Sequence, residues 1–352
     1  MPLTRLRIES FRCLAQVELA LDPEQNYFFG PNGAGKTSLL EAVHVLGRGR
    51  SFRLRQNKRL IQYDAGGFSV FGEVRASGRN HRLGISVDGD GRRLRLDGQD
   101  GATMTAMAQI LPVFVIEPSV HFLIEGGPGE RRRFLDWGVF HVEQGYIATW
   151  RRYRRVLGQR NAALRSGQHP GSWDKLLAAA GTQVTEARER YVGELRQALA
   201  GLGEELLGQP LEVNYRPGWR ADTSLQAALQ KSRARDEQTR ATQVGPHRAE
   251  LEIKLGIRGV REEISRGQQK LAAAALVLAQ VRVLAGSRGH GGTLLVDDPA
   301  AELDTMALRA LLTVLETLPA QRIITGLTEA SLQGAQPPTR FHVEQGGVRP
   351  MV

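Results

Sequence analysis

The chain has 352 residues, of which 41% are hydrophobic, so it is long enough to bury a sizeable core in one large domain or two. Its formal net charge is +10, and 41 of its 47 basic residues are arginines. This balance indicates a polyanionic partner, nucleic acid first, or an arginine-decorated surface. The single cysteine, Cys13, excludes an internal disulfide and a cysteine metal cluster, which fits a reducing cytoplasm.

A glycine-rich loop follows the first predicted strands. Residues 6–8 and 17–21 alternate with period two, and residues 26–29 form a short apolar run, so all three predict strands. Residues 30–38 then match G-x-x-x-x-G-K-[ST], a phosphate-binding loop, and a helix to about residue 46 follows. Glycines let backbone N–H groups surround a phosphate. The predicted nucleotide-binding residues are Gly30, Pro31, Asn32, Gly33, Ala34, Gly35, Lys36, Thr37 and Ser38.

The rest of the chain alternates between strand and helix patterns. Runs at 68–75, 81–87 and 92–96 predict antiparallel strands, and 112–116 predicts a central strand. Amphipathic stretches at 143–165 and 173–207 predict an antiparallel helical hairpin. A lone strand is predicted at 211–215, further strands at 249–255, 293–296 and 321–325, and helices at 271–284 and 305–317. The predicted division is residues 1–125, an inserted helical lobe at 126–240, and residues 241–352.

Two carboxylates end the predicted strand at 293–296. In a protein with a phosphate-binding loop, Asp297 can hold Mg²⁺ opposite Thr37, and Asp298 can orient or deprotonate the attacking water. Lys36 would reach the β- and γ-phosphates. We therefore predict Lys36, Asp297 and Asp298 as catalytic residues and Thr37 and Asp297 as metal ligands. Alone, the two acids would fit a solvated turn after a buried strand equally well.

A third motif resembles the S-x-G-Q signature of ABC-type ATPases. It occupies residues 265–271, S-R-G-Q-Q-K-L, and Ser265 lies 32 residues before Asp297. In that superfamily the signature binds the nucleotide held by the phosphate loop of the other subunit. The resemblance implies that Ser265, Gly267 and Gln268 act in trans, in a head-to-tail homodimer that encloses two ATP molecules. A helix start suits this task, because its N–H groups favour anions.

Two flanking segments are compared with the same superfamily. Residues 301–304, A-E-L-D, resemble the D-loop along the dimer interface, which implies roles there for Ala301 and Asp304; most members have serine where Ala301 stands. The sequence has no histidine directly after the strand at 321–325, so Thr325 or Thr328 is the candidate substitute for a phosphate sensor. Glu117 follows the strand at 112–116 where a glutamine is usual.

Taken together, the motifs resemble the RecF family of bacterial recombinational repair ATPases, within the ABC-type, SMC-like superfamily. They lie at residues 4–12, 30–42, 47–53, 127–137, 159–164, 245–251, 265–271 and 295–304, and so cover nearly the whole length. The resemblance implies an α/β fold. The expected architecture is an ABC-type P-loop ATPase head, with mixed sheets and flanking helices, that carries an inserted, mostly helical lobe.

The resemblance also implies an activity. An ATP-bound homodimer is expected to clamp double-stranded DNA beside a single-stranded gap. With RecO and RecR as partners it would help to place RecA on gapped DNA. A weak, DNA-stimulated ATP hydrolysis, dependent on ATP and Mg²⁺, would then release the clamp. The expected location is the cytoplasm, with no membrane partner.

Candidate DNA contacts are less closely specified by the sequence. One group follows the first helix and another lies on the inserted lobe: Arg48, Arg50, Arg53, Arg55, Arg151 and Arg152. They would bind phosphates without sequence preference, or they form solvated surfaces. His247 belongs to a family motif and is either a buried structural histidine or a nucleotide contact.

Two other classes of protein share the ATPase motifs. An ATP-hydrolysing subunit of an ABC membrane transporter is the main alternative, but it would carry a glutamine loop and a switch histidine. A cohesin-like chromosome organiser would need a coiled coil far longer than the stretch at 143–207.

Overall fold

The computed structural model describes residues 1–54, 56–76, 78–259, 264–331 and 339–351. The chain forms two compact units. The head unit comprises Met1–Val120 and Ala274–Val352, and the insert unit comprises His121–Ala273. These divisions fall at 120/121 and 273/274, whereas the domain limits at 125/126 and 240/241 stay a prediction.

Fifteen strands and eleven α-helices are present in the described ranges. The strands are β1 (Leu3–Phe11), β2 (Leu14–Ala20), β3 (Gln25–Phe29), β4 (Gly67–Ala76), β5 (Arg79–Asp88), β6 (Gly91–Leu96), β7 (Gln99–Asp100), β8 (Val113–Ile116), β9 (Leu211–Arg216), β10 (Glu250–Leu255), β11 (Arg258–Gly259), β12 (Thr293–Val296), β13 (Gln321–Gly326), β14 (Thr339–Glu344) and β15 (Gly347–Met351). The helices are α1 (Lys36–Arg48), α2 (Met104–Ile110), α3 (Phe122–Glu125), α4 (Pro128–Val142), α5 (Tyr146–Arg165), α6 (Gly171–Leu199), α7 (Leu202–Leu207), α8 (Leu225–Thr239), α9 (Arg266–Arg288), α10 (Pro299–Glu302) and α11 (Thr305–Glu316).

Two six-stranded sheets build the head unit. The first has the order β2-β1-β4-β5-β6-β7 and its pairs are antiparallel. The second has the order β15-β14-β3-β13-β12-β8, in which β15 alone among its strands pairs in the antiparallel sense. In the second sheet, β3 and β12 are buried throughout, as continuous apolar runs in a parallel sheet should be. The predicted strands of this unit are confirmed.

Helix α1 lies between the two sheets. It packs against β1, β4 and β5 of the first and against β8 and β13 of the second. Eleven of its thirteen residues are buried, so it has no solvated face. Its buried residues include four polar ones, Lys36, Ser38, Glu41 and His44, and each needs a hydrogen-bonding partner inside the protein. The hydrogen bonds of these four residues therefore fix the neighbouring segments relative to α1.

The insert unit combines a helical hairpin with a small sheet. Helices α5 and α6 pack against each other, which confirms the predicted hairpin. The stretch predicted as one helix at 173–207 is two helices in the structure. Helix α6 ends at Leu199 and α7 begins at Leu202, because Gly201 between them takes a positive φ of 85°. Strand β9 pairs with β10, and β10 with β11. The side chain of Arg160 is completely buried and donates to Asp174 at 2.8 Å and to Asp236 at 2.7 Å.

Helix α9 is long and apolar enough to cross a membrane by length and composition. Of its most apolar window, however, 78% is buried inside the protein, as in the core helix of a globular fold. It is the one such helix found in the described ranges. The predicted buried helix at 271–284 is therefore confirmed.

Candidate nucleotide site

The phosphate-binding loop connects β3 to α1 at the carboxyl edge of the second sheet. A side chain at Gly30 would place its Cβ 2.0 Å from the carbonyl oxygen of Val343, so only glycine fits. Gly33 and Gly35 have positive φ angles of 78° and 115°. The loop borders a cavity of about 390 Å³. Its lining residues are Cys13, Asn32, Gly33, Ala34, Gly35, Lys36, Thr37, Ser38, Arg53, Pro118, Asp297, Asp298 and Ala301.

Lys36 is buried and folded back onto its own loop. Its Nζ donates to the carbonyl oxygens of Gly30 at 2.6 Å and Pro31 at 3.0 Å. Burial lowers the pKa of Lys36, and the charges of Asp298 and Asp297 oppose that shift. The two predicted residues outside the cavity wall, Gly30 and Pro31, therefore contribute through their carbonyl groups, which hold the ammonium group of Lys36 against the loop.

Asp297 directly follows strand β12 and is hydrogen-bonded to Thr37 of the phosphate-binding loop. The Oγ1 of Thr37 lies 3.0 Å from both carboxylate oxygens of Asp297 and donates to them. Thr325 donates to Asp297 Oδ1 at 2.8 Å. Burial raises the pKa of Asp297, and the hydrogen bonds from Thr325 and Thr37 oppose the rise. Hydroxyl and carboxylate oxygens that converge in this way are the donor set that Mg²⁺ prefers.

Asp298 has a left-handed backbone conformation. Its φ and ψ of 43° and 60° lie in the left-handed region, which few residues other than glycine adopt. Its N–H donates to Thr325 Oγ1 at 2.9 Å, and its Oδ1 is buried without a hydrogen-bonding partner among the described residues. A buried carboxylate oxygen of this kind is suited to bind a water or a substrate group. Thr325, rather than Thr328, thus stands between the two acids.

The signature residues lie at the start of α9, in the insert unit. Ser265 Oγ accepts from the Gln268 N–H at 3.3 Å, and Gln268 Oε1 accepts from the Ser265 N–H at 3.1 Å. This is a capping box, in which two side chains satisfy each other's backbone donors. Ser265 and Gly267 are exposed. The predicted helix start is confirmed, and the action of these residues on a second subunit stays a prediction.

The two D-loop residues have different surroundings. Ala301 is exposed and lies on the cavity wall. Asp304 caps α11, because its side chain accepts from the Ala307 N–H at 2.9 Å. Their predicted roles at a dimer interface remain predictions.

The arginines after α1 do not share one environment. Arg53 is exposed but lies on the wall of the nucleotide cavity, and its charge acts to lower the pKa of Asp297. Arg50 is exposed and Arg48 is half-buried. Arg55 lies outside the described residues. One of the predicted DNA contacts, Arg53, therefore lies on the cavity wall, and its role in DNA binding stays a prediction. On α5, Arg151 and Arg152 are exposed.

His247 is held inside the insert unit as a structural residue. Its Nδ1 accepts from the Tyr153 hydroxyl at 2.6 Å, and its Nε2–H donates to the Thr242 carbonyl at 2.9 Å. Burial lowers the pKa of His247 to about 4, and it is therefore neutral at pH 7. With both ring nitrogens satisfied by the protein, the geometry supports the structural interpretation over a nucleotide contact.

Two residues of the cavity wall were not predicted from the sequence. Cys13 lies in the β1–β2 turn, and its Sγ is 3.6 Å from Ser38 Oγ. Pro118 lies just beyond the end of β8. Since ligands bind beyond the carboxyl ends of parallel strands, the predicted strand at 112–116 could have indicated Pro118. No comparable sequence signal marked Cys13.

The fold and the phosphate site define an ATPase head of the ABC and SMC class. The family described as the RecF/RecN/SMC N terminal domain matches residues 2–349. The DNA replication and repair proteins RecF of two Pseudomonas fluorescens strains, SBW25 and Pf0-1, are each 40% identical to it over 359 aligned positions, which cover 99% of this chain and 98% of each relative. The chain belongs to the RecF family.

Solved structures agree with this assignment. A structure of the recombination mediator protein RecF-ATP in the RecFOR pathway has a TM-score of 0.88 and 25% identity, and the match covers 100% of this chain and 98% of that one. An Smc head bound to the C-winged helix domain of ScpA has a TM-score of 0.62 at 16% identity, which shows a shared fold. The predicted ABC-type head with an inserted lobe is confirmed, and the transporter alternative is not favoured.

Proposed function

We propose that this chain is an ATP-dependent DNA-binding protein of DNA repair and replication, whose ATP-bound homodimer clamps duplex DNA beside single-stranded gaps. One observation carries the proposal. Lys36, Thr37, Asp297 and Asp298 line a single cavity, and the buried Thr325 is hydrogen-bonded to both acids, in a chain that matches RecF over its whole length.

The charged residues and the threonine of the cavity wall would each have a task in ATP hydrolysis. The loop N–H groups and Lys36 would bind the phosphates, and Asp298 would hold the attacking water. The oxygens of Thr37 and Asp297 fit Mg²⁺, which when bound would neutralise phosphate charge. Arg53 adds a cation to the wall beside Asp297. The proposed ATPase is weak and stimulated by DNA, and its chemistry serves to time release.

ATP would drive dimerisation because each nucleotide binds groups from both chains. The exposed Ser265 and Gly267 at the start of α9 supply N–H and hydroxyl donors for the phosphate of a partner subunit. Loss of the γ-phosphate on hydrolysis removes those contacts and opens the dimer. In the ATP-bound dimer, Ala301, at the cavity wall, and Asp304 would lie along the interface between the two copies.

The distribution of charge favours DNA contacts on the insert unit. That unit has 25 basic and 18 acidic residues, so it carries +7 of the net charge of +10. In the first sheet of the head unit, by contrast, five of the outward arginines pair with acids. The pairs are Arg5–Glu18, Arg7–Glu9, Arg82–Glu73, Arg93–Asp88 and Arg95–Asp100. A phosphate would have to displace those acids, whereas on the more basic insert unit Arg151 and Arg152 of α5 are exposed to solvent.

The similarity to a RecF assigned to the RecFOR pathway supports the proposed partners. We expect RecO and RecR to act with this chain on gapped DNA and to help load RecA, in the cytoplasm. Arg50 remains a candidate DNA contact on the head unit.

Light-scattering mass with and without Mg²⁺–ATP, repeated with gapped DNA, tests the proposal. Wild type should double its mass only with ATP, and Ser265→Arg should bind ATP yet stay monomeric. Ser224→Arg is the matched control, since Ser224 caps α8 in the same unit by accepting from the Ala227 N–H at 3.2 Å. A wild-type monomer with ATP and DNA, or loss of dimer in both serine variants alike, would count against the composite site.

A further inference from the structure

Glu41 and His44 lie on α1 beyond the phosphate loop, and their partners belong to segments around the nucleotide cavity. The Glu41 side chain is fully buried and accepts from Arg12, Nε to Oε2 at 2.5 Å and Nη2 to Oε1 at 2.9 Å, and also from the Ser51 hydroxyl. His44 donates from Nδ1 to the Arg50 carbonyl at 2.7 Å. One helix therefore holds both the β1–β2 turn and the segment at 50–54.

Ser51 links Glu41 to the backbone of Arg53, which lies on the cavity wall. It is buried, and while its hydroxyl hydrogen goes to Glu41, its oxygen accepts from the N–H groups of Arg53 at 2.9 Å and Leu54 at 2.7 Å. The backbone of Arg53 is thus two hydrogen bonds away from α1, the helix whose first turn binds phosphate. Arg53 itself is exposed and lines the cavity.

The chemistry of a carboxylate explains why an acid stands at this buried position. An ionised carboxylate is unfavourable in a protein interior unless it is paired and fully hydrogen-bonded. Its two oxygens accept only, and they have room for the Arg12 fork and the Ser51 hydroxyl together. An amide or an apolar side chain at position 41 could not satisfy all three donors. Through its bonds to Arg12, the Glu41 carboxylate also holds the β1–β2 turn, in which Arg12 has a positive φ of 53°.

We propose that Glu41 and Ser51 are positioning residues for ATP hydrolysis, which hold Arg53 at the distance from the phosphates that the reaction requires. The inference rests on the proposed ATPase function. Correct placement of a charged group contributes to the rate much more than to ground-state binding, because a displacement of about 1 Å can cost about 100-fold. Glu41 acts by holding Ser51, and Ser51 acts by holding the backbone of Arg53. Loss of any one of the three should therefore impair the same step of hydrolysis.

A mutant cycle on Ser51 and Arg53 tests the inference, with steady-state hydrolysis, ATP affinity from a fluorescent analogue, and thermal midpoint as readouts. Ser51→Ala should lower kcat by about 10-fold and change ATP affinity by less than about twofold. Arg53→Ala should lower kcat at least as much, and the double variant should be no slower than Arg53→Ala. Glu41→Gln offers a second route that keeps side-chain volume. Ser69→Ala, which removes a hydroxyl bonded to Glu9 at 2.9 Å elsewhere in the head unit, is the matched control.

The outcomes separate this inference from the function on which it rests. If wild type does not hydrolyse ATP, or Lys36→Arg hydrolyses it normally, the proposed ATPase site is wrong. If wild type is active but Ser51→Ala and Glu41→Gln keep its kcat, only the positioning role is wrong. If the losses of Ser51→Ala and Arg53→Ala multiply in the double variant, Ser51 acts on stability rather than through Arg53, and the inference is overturned.

Discussion

Replacement of Thr325 by valine tests the arrangement of the two acids most directly. Valine keeps the shape of threonine and removes the hydroxyl. That hydroxyl donates to Asp297 Oδ1 at 2.8 Å and accepts from the Asp298 N–H at 2.9 Å, and Thr325 is completely buried. The change therefore breaks two hydrogen bonds at once and leaves a backbone donor in the interior without its acceptor.

The magnitude follows from those two contacts. A hydrogen bond to a charged acceptor contributes about 1.5–3 kcal/mol, and an unsatisfied buried donor costs about 1–3 kcal/mol. The two losses share one atom and are not additive, so the free energy of unfolding should fall by about 3 kcal/mol. ATP hydrolysis should fall as well, because the backbone that presents Asp298 loses its restraint.

Urea denaturation without nucleotide measures the loss of stability, and a released-phosphate assay measures turnover. Thr325→Ser is the control, because it keeps the hydroxyl and removes only a methyl group, at a cost of about 1 kcal/mol. If the valine variant is as stable and as active as the serine variant, the hydroxyl does not organise the acids and the interpretation of this site is wrong.

Three further predictions concern the insert unit. His247→Gln should flatten the acid side of the stability profile: because the pKa of His247 is about 4 when folded and near 6.5 when unfolded, wild type should lose up to about 3 kcal/mol as the pH falls from about 6.5 to about 4. Arg160→Met should lower the free energy of unfolding by about 3–5 kcal/mol, since Asp174 and Asp236 would lose a completely buried cation. Arg151→Ala combined with Arg152→Ala should weaken duplex binding and reduce the slope of log affinity against log salt by about 2.

Each of these has a result that would contradict it. For His247, equal pH slopes in variant and wild type between pH 7 and 5 would show that another group, such as His44 or His290, controls the acid limb. For Arg160, Asp236→Asn in the Arg160→Met background should recover part of the loss in urea denaturation; no recovery would mean that the charge of Asp236 is not the cause. For the α5 arginines, a salt slope equal to that of the control pair Arg93→Ala with Arg95→Ala would remove α5 from the DNA surface.

The sequence was sufficient for the elements whose signal is local. The phosphate loop, the acid strand and the start of α9 each carry their pattern within a few residues, and all three have the predicted secondary structure. The pairing of β9 with β10 was not predicted, because it joins residues that are far apart in the chain.

Side-chain environments depend on that long-range packing, so they could not be predicted. Arg53 resembled its neighbours Arg48 and Arg50 in the sequence, yet only Arg53 lines the cavity among the described arginines. Glu41 stands in a helix that the sequence predicted, but nothing local indicated that its carboxylate would meet Arg12 and Ser51. Such contacts form only when two segments separated by other strands come together in one core.

The cap on α9 has a consequence for the choice of amino acid at position 265. Aspartate and asparagine cap helices as well as serine does. A hydroxyl, however, has two lone pairs and one proton, and the cap with Gln268 uses a lone pair. The proton is left to give to an incoming oxyanion, while aspartate would repel it. In the proposed homodimer, serine could therefore bind the partner subunit's triphosphate while it still caps its own helix, so dimerisation would not require α9 to unwind at its start.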